Sequence, residues 1–136
     1  MTARRLSDGV SDEWRAFWSE RHLCSLVTPR RDGSPHVVPV GVTVDVDEEI
    51  ARVICRGGSQ KARNVAAWAE QGGARVAVSQ FEGRRWSTLE GLAVVRREPE
   101  RVRDAEERYA LRYRVPKVNP ERVVLEIAVD RVLGLS

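Results

Sequence analysis

The chain has 136 residues, of which 42% are hydrophobic and 32% are charged. This length and composition are typical of one globular domain over 1–136, and they exclude a wholly disordered chain, a collagen-like repeat or a disulfide scaffold. No apolar stretch is long enough to span a membrane. The first ten residues are polar and are expected to be loose. They lack the apolar core of a secretory signal, so a cytoplasmic location is expected.

Basic residues outnumber acidic ones by 23 to 20, and all but two of them are arginine. Arginine suits an anionic partner because its guanidinium binds carboxylate and phosphate in a forked geometry, although a GC-rich genome gives the same bias. The net charge of +3 is too small to predict a nucleic-acid partner. Cys24 and Cys55 lie in apolar runs without a CxxC pair, so we expect two free thiols and no metal site.

The first predicted element is a helix over about 11–21, because Trp14, Phe17 and Trp18 recur at helical spacing after a capping serine. A short apolar strand over 22–29 follows, and residues 30–34 carry the Asp-Gly signal of a hairpin turn.

The strand predicted over 36–46 is the most informative segment of the chain. Its even positions from 38 to 46 are all valine, which predicts a continuous face toward the core. Its odd positions are smaller or more rigid and include Pro39 and Gly41. Proline has no N–H to donate, so this strand must lie at an edge or contain a bulge.

The remaining elements are a strand over 50–56, a helix over about 60–71, strands over 74–80 and 85–97, a helix over 99–113 and a strand over 121–135. Most strands follow one another through hairpins. This order predicts a mainly β protein, with an antiparallel sheet rolled into a small barrel and helices outside it, rather than a Rossmann sheet.

The segment ICRGGSQKARN over 54–64 is the first candidate site. A strand ends there, two glycines follow, and Ser59, Gln60 and Lys61 begin a helix. The amino end of a helix attracts anions, so a phosphate site is one interpretation, and an ordinary helix cap is the other. The Walker pattern is absent.

Three further features could bind a ligand. Pro39 and Gly41 leave room for a flat ring, although they also suit a plain edge strand. Trp86, beside Arg85, could stack on a heterocycle or simply fill a core or a dimer contact. The arginines and tyrosines over 108–114 could receive carboxylates or form a solvated face. No histidine pairs with a nucleophile, so chemistry carried by a bound cofactor is favoured over a hydrolase.

Six motifs together resemble the pyridoxamine-phosphate-oxidase-like split β-barrel superfamily. They extend over about 11–134 and read WSERHL, SPHVVPVGVTVD, GGSQKARN, RRWSTLEG, VRDAEERYALRYR and ERVVLE. In that superfamily an S-x-K segment between a strand and a helix binds the FMN phosphate. The sequence is more similar still to the actinobacterial branch that uses the deazaflavin coenzyme F420, and within it to the biliverdin reductases.

The resemblance implies a split β-barrel homodimer with the cofactor in a groove between the subunits. The resemblance implies that the cofactor is bound by His36, Val37, Val38, Pro39, Val40, Ser59, Gln60, Lys61, Asn64, Gln80 and Trp86. We add Arg56 to these cofactor-binding residues for the reason given next. Arg52 and Arg56 share a strand face, so we expect them to meet the anionic tail of F420. The oxidase branch has glutamine at the position of Trp86, and this departure favours F420 over FMN.

The activity implied is hydride transfer from reduced F420 to a conjugated small molecule, with biliverdin reduced to bilirubin. Arg112 and Arg114 are the candidates for binding its two propionates. No residue is predicted as the catalytic acid. The alternatives are an FMN-dependent reductase or oxidase of the same fold, and a protein that binds F420 or a tetrapyrrole without turnover. A nucleic-acid-binding barrel is disfavoured, because interleaved aromatics on adjacent strands are missing.

Overall fold

A seven-stranded antiparallel sheet dominates the computed structural model, which describes residues 3–136. The strands are β1 Cys24–Pro29, β2 Pro35–Val40, β3 Thr43–Asp45, β4 Ile50–Arg56, β5 Ala74–Glu82, β6 Arg85–Arg96 and β7 Arg122–Gly134. The α-helices of the described chain are α1 Asp12–Ser19, α2 Gln60–Ala66 and α3 Pro99–Arg112. The predicted mainly β architecture with flanking helices is therefore confirmed.

The strand order is β2-β1-β5-β6-β7-β4-β3, so two strands that are consecutive in the chain lie at opposite edges of the sheet. Only Gly41 and Val42 connect them. The sheet must therefore curl until its two edges are neighbours. Within residues 3–136 β2 pairs only with β1 and β3 only with β4, which leaves the barrel split rather than closed.

The single strand predicted over 36–46 is wrong, because the structure divides it into β2 and β3. Pro39 lies in an edge strand, as its missing N–H requires. The N–H of Val42 leaves the ladder and donates to the Tyr113 hydroxyl at 3.0 Å. The even-numbered valines nevertheless face the core on both strands, as predicted. Val40 and Val42 are buried, and the other even-numbered valines pack against the core.

Helix α1 closes one part of the core. The Ser11 hydroxyl caps it by accepting a hydrogen bond from the Trp14 N–H at 3.0 Å. This start directs Trp14, Phe17 and Trp18 inward, where all three are buried. The Trp18 indole N–H donates to the Ser87 hydroxyl at 3.0 Å, which attaches the helix to β6. The predicted helix is thus confirmed, although it ends at Ser19.

Helix α2 ends at Ala66, about one turn before the predicted end. Trp68 leaves the helical path, and its indole N–H donates to the carbonyl of Pro29 at 3.1 Å. A short 3₁₀ turn over Ala69–Gln71 follows and stops at Gly72, whose φ of +88° favours glycine. The tertiary bond of Trp68 therefore replaces the last predicted helical turn.

Both cysteines are free and buried, as expected. Burial raises the pKa of each thiol. Across residues 3–136, no helix has both the length and the apolar character needed to cross a membrane.

Candidate functional site

The end of β4 and the start of α2 bring polar groups to one edge of the barrel. After Arg56 the chain turns through two glycines, and the Ser59 N–H donates to the Arg56 carbonyl at 3.0 Å. The Ser59 hydroxyl accepts from the Ala62 N–H at 3.4 Å, so it does cap α2. A Cβ on Gly57 would lie 3.1 Å from the Arg97 guanidinium, so this turn is closely packed.

A groove of about 330 Å³ lies beside this turn, and we call it the cationic groove. It is bounded by the β2–β3 connection, the end of β4, the start of α2 and the segment after α3. Its cationic residues are Arg56, Lys61, Arg114, Lys117 and Arg122. None of the described residues that line it is acidic. A site with this charge attracts an anion.

Most of these cations have no competing carboxylate. The exception is Arg122, which donates to Glu106 at 2.6 Å, so that this ion pair offsets most of its charge. No carboxylate of residues 3–136 lies within ion-pair distance of Arg56, Lys61 or Arg114. The groove therefore fits a phosphate or a chain of carboxylates by the chemistry of its donors.

The wall of the groove at Gly41 is held by two tyrosines. The rings of Tyr109 and Tyr113 stack with centroids 4.9 Å apart. A Cβ on Gly41 would lie 2.8 Å from the Tyr109 ring and 3.0 Å from the Tyr113 ring, so only glycine allows this approach. The Tyr113 hydroxyl donates to the carbonyl of His22 at 2.7 Å, and burial raises its pKa to about 12. The β2–β3 connection is thereby fixed in place.

Arg112 does not line the cationic groove, and its expected role in binding substrate stays a prediction. Its guanidinium donates to the carbonyl of Glu20 at 2.9 Å, to the carbonyl of Val42 at 2.6 Å and to the Gln80 side chain at 2.7 Å. All three guanidinium nitrogens are engaged inside the protein. Arg114, two residues later, does line the groove.

Gln80 is also held in the core rather than at the groove. It is 1% exposed, and its side-chain amide donates to the carbonyl of Phe17 at 2.9 Å. Its oxygen accepts from Arg112. Both ends of the side chain therefore have partners in the fold, and the expected contact of Gln80 with the cofactor stays a prediction.

Helix α2 sends its polar residues to two different sides. Lys61 faces the cationic groove. Gln60 and Asn64, one helical turn apart, face a separate groove between α2 and the β1–β2 turn. Asn64 is buried and donates to the Thr28 hydroxyl at 3.0 Å, while its oxygen accepts from Gln60 at 2.6 Å. The structure thus does not bring these two amides together with Lys61.

The predicted ring-binding strand contributes only its end. Pro39 and Val40 line the cationic groove, whereas His36, Val37 and Val38 do not. Val37 points outward and is 57% exposed, and Val38 packs against the core. Within residues 3–136 the buried Nδ1 of His36 has no hydrogen-bond partner.

Trp86 and Arg52 also lie away from the groove. Trp86 is 48% exposed on the outer face of the sheet, paired with Phe81 on β5. Arg52 is 10% exposed at its side chain and lies between Asp45 and Asp104, at 3.9 and 3.8 Å. The two acids lie within ion-pair distance of Arg52, but its Nε and Nη1 are buried and have no hydrogen-bond partner within residues 3–136. Its contact with an anionic tail stays a prediction, and Arg56 is exposed.

Sequence reasoning missed the contribution of the segment after α3. Lys117, Asn119 and Arg122 all line the cationic groove. One signal was present, because the chain has only two lysines and both of them, Lys61 and Lys117, line this groove.

The only cluster of three potential metal ligands in residues 3–136 lies elsewhere, at Glu20, His22 and Glu82. Arg85 occupies it, donating to Glu20 at 3.0 Å and to Glu82 at 2.6 Å. Hydrogen bonds from Arg85 and His22 lower the pKa of Glu20 to about 2. The cluster is therefore a set of surface ion pairs that joins α1 to the β5–β6 hairpin.

The fold and the site define this chain as a split antiparallel barrel with a cationic groove at its edge. The model of the pyridoxamine 5'-phosphate oxidase family matches residues 10–136, and the chain belongs to this family. It is 55% identical, over 125 residues, to an F420H(2)-dependent biliverdin reductase of Mycobacterium tuberculosis (strain CDC 1551 / Oshkosh), covering 92% of this chain and 88% of that protein.

Solved structures share the fold at lower identity. The conserved hypothetical protein Rv2991 from Mycobacterium tuberculosis superposes with a TM-score of 0.71 at 23% identity, covering 91% of this chain and 83% of that one. An F420 reductase superposes with a TM-score of 0.69 at 21% identity, covering 91% of this chain and 98% of that one. These likenesses support the family's split-barrel fold for this chain.

Proposed function

We propose that this chain is an oxidoreductase that uses reduced coenzyme F420 to reduce biliverdin or a related conjugated molecule. The observation that carries the proposal is the 55% identity, over 92% of the chain, with an F420H(2)-dependent biliverdin reductase. The charge of the groove supports it independently, because F420 carries a phosphodiester and a tail of glutamates.

The cationic groove supplies the groups that would hold the anionic part of the cofactor. Lys61 and Arg56 line the groove and offer charged donors. Ser59 does not line it, but it lies two residues before Lys61, and its hydroxyl retains its own proton to donate while it caps α2. Arg114 and Lys117 extend the positive surface on the other side of the groove. Charge-assisted hydrogen bonds of this kind are about twice as strong as neutral ones.

The ring of the cofactor would lie against the β2–β3 connection. Pro39, Val40 and Gly41 present an apolar wall with little side-chain volume, and the tyrosines behind Gly41 hold it still. Reduced F420 supplies a hydride from its ring carbon when bound. The task of the protein is then to orient donor and acceptor, which removes much of the entropic barrier to their reaction.

We propose further that a second copy of the chain covers the outer face of the sheet. Val37, Phe81, Trp86 and Leu133 are exposed apolar side chains on that face. The strand register places them on one surface, because Pro39, Ser25, Ser79, Thr88 and Leu133 are successive partners across five strands. A homodimer through this face would explain why Trp86 is exposed and would add a partner's residues to the groove.

The test is a titration of the chain with F420, FMN and FAD, followed by addition of biliverdin to the reduced F420 complex. We expect preferential binding of F420, and loss of biliverdin absorbance together with reoxidation of F420H2. Preference for FMN would instead support an oxidase or reductase of the kind for which the family is named. Binding of F420 without turnover of any conjugated acceptor would leave a carrier role.

A further inference from the structure

The groove between α2 and the β1–β2 turn lies on the other side of the helix from the cationic groove. It is about 650 Å³ in volume, and we call it the arginine groove. Its charged and polar lining residues are Arg30, Arg31, Asp32, Gln60, Arg63 and Asn64. Among residues 3–136, none lines both this groove and the cationic groove, so the two are separate spaces.

The three arginines of this groove lack a counterion. Asp32 is the only acid among the described residues that line it. The Oδ1 atom of Asp32 already accepts from the Ser34 N–H at 2.9 Å and from the Ser34 hydroxyl at 2.6 Å. In the part of the chain that the structure describes, no carboxylate lies within ion-pair distance of these guanidinium groups. Like charges gathered in one groove repel one another, and a bound anion would relieve that repulsion.

A series of hydrogen bonds from the core holds one of these arginines in place. The Thr28 hydroxyl is buried and accepts from the Asn64 amide at 3.0 Å. Asn64 is itself 5% exposed, and its oxygen accepts from Gln60 at 2.6 Å. The Gln60 oxygen in turn accepts from Nη2 of Arg63 at 2.7 Å. This bond orients the guanidinium of Arg63 and leaves its other nitrogens for a ligand.

The β1–β2 turn forms the opposite wall and is also held by hydrogen bonds. The Arg30 N–H donates to the Ser34 carbonyl at 2.8 Å, and the Arg30 side chain donates to the Pro35 carbonyl at 2.6 Å. Arg31 follows in the turn and is exposed. Guanidinium groups therefore face one space from two rigid walls, which lowers the entropic cost of binding a ligand there.

We propose that the arginine groove is a second anion site, which binds a small molecule with two or more carboxylate or phosphate groups. Guanidinium groups bind carboxylate and phosphate in the same forked geometry. Arginines on both walls suit a ligand that carries charge at more than one end. The site is separate from the one proposed for the cofactor, so this inference goes beyond the proposed function and does not rest on it.

The experiment titrates the full chain with citrate and, in a separate arm, with pyrophosphate, at constant ionic strength. Calorimetry measures affinity, and a rise in melting temperature shows that the probe binds the folded chain. Because the cationic groove also attracts anions, each titration is repeated in Lys61→Gln. We expect at least one probe to bind in both backgrounds, and the tighter one identifies the preferred group. If neither probe binds more tightly than acetate, the proposal is overturned.

Replacing Arg31 and Arg63 together by Gln removes one guanidinium from each wall at exposed positions. We expect the affinity of the preferred probe to fall about tenfold or more, also in the Lys61→Gln background. Replacing Arg15 and Arg103 together by Gln is the matched control, because both are exposed on other helices and line neither groove. Equal probe affinity in the two double variants would overturn the proposal.

F420 binding separates this site from the cofactor site. The affinity of the Arg31 and Arg63 double variant for F420 should stay within about twofold of the parent, because exposed charges across the helix are screened. If the double variant lost F420 affinity together with probe affinity, the groove would hold part of the cofactor and the second site would be overturned. If the chain bound no F420 but bound a probe through these arginines, the second site would stand and the proposed function would fall.

Discussion

Lys61 and Arg63 lie two positions apart in α2, and their charges face different sides of the helix. Lys61 lines the cationic groove, while Arg63 faces the other side of α2 and donates to Gln60 at 2.7 Å. Both are cations on the same short helix. Because the two differ mainly in where their charge lies, comparing their variants separates the effect of a charge in the groove from the effect of the protein's net charge.

We predict that Lys61→Gln weakens F420 binding by about tenfold to a hundredfold, since a charge-assisted hydrogen bond contributes roughly 1.5–3 kcal/mol. The binding should also lose part of its dependence on salt. Fluorescence titration of F420 at several salt concentrations measures both effects. Arg63→Gln is the control and should leave affinity nearly unchanged. An equal loss in the two variants would mean that the groove has no special role.

Arg112 differs from Lys61. The sequence suggested that it binds a ligand, but its guanidinium makes hydrogen bonds inside the protein. Removing its guanidinium leaves the carbonyl of Glu20 without this donor. The Val42 carbonyl and the Gln80 side-chain oxygen each lose their shorter bond and keep one from Tyr113 at 3.4 Å and from Cys24 at 3.3 Å. We predict that Arg112→Met lowers the free energy of unfolding by about 2 kcal/mol or more, because buried acceptors left unpaired cost about 1–3 kcal/mol each. Urea denaturation measures this loss.

Arg114→Met is the companion variant, because Arg114 lines the groove and makes no ion pair within residues 3–136. It should keep the parent's stability and weaken F420 binding. If Arg112→Met were as stable as the parent and lost only acceptor affinity, the original expectation for Arg112 would be restored.

The β2–β3 connection is the feature that matters most at the scale of elements. It joins the two edges of the sheet with two residues, and Gly41 meets the stacked rings of Tyr109 and Tyr113 there. These rings come from the last turn of α3 and the residue after it. The cationic groove therefore depends on contact between elements that are far apart in sequence.

We predict that Gly41→Ala destabilises the protein by about 1–3 kcal/mol, the usual cost of overpacking. It should also weaken F420 binding, since the displaced connection carries Pro39 and Val40. Thermal unfolding and F420 titration measure the two effects. Gly58→Ala is the control for stability, because a Cβ there meets no atom within 4 Å and the backbone needs no positive φ. Similar behaviour of the two alanine variants would contradict this account.

At the scale of the whole molecule, the outer face of the sheet is the surface that bears on the oligomeric state. Phe81 is 77% exposed and Trp86 is 48% exposed, on neighbouring strands of one surface. Contiguous exposed apolar side chains on a soluble domain usually mark an interface. The proposed homodimer therefore makes a clear prediction about mass.

We predict that the parent chain sediments as a dimer and that Phe81→Asp shifts it to a monomer, because a charge at an apolar contact costs several kcal/mol. F420 binding should weaken in the monomer if the partner completes the groove. Leu111→Asp is the control, because Leu111 is an exposed apolar residue on α3, away from the sheet. A parent chain that is monomeric at all concentrations would rule out the second copy.

Much of this protein follows from local rules in its sequence. The spacing of Trp14, Phe17 and Trp18 predicted α1, and alternation predicted the strands and the inward valines. Pro39 predicted an edge strand because its missing N–H is a property of the residue itself. The glycine turn and Ser-Gln-Lys segment marked one side of the groove, since both strand ends and helix starts have signatures in the chain.

Other features depended on contacts between distant parts of the chain. Nothing local shows that Gly41 meets Tyr109 and Tyr113, so the division of one valine-rich run into two edge strands was not predictable. The direction of a long side chain is equally non-local. Arg112 and Arg114 differ by two positions, and only packing decides that one satisfies carbonyls in the core while the other faces a groove. Local signals in the sequence thus predicted most of the elements and the basic helix start, whereas tertiary packing decides which charges share one site, because only packing brings distant side chains together.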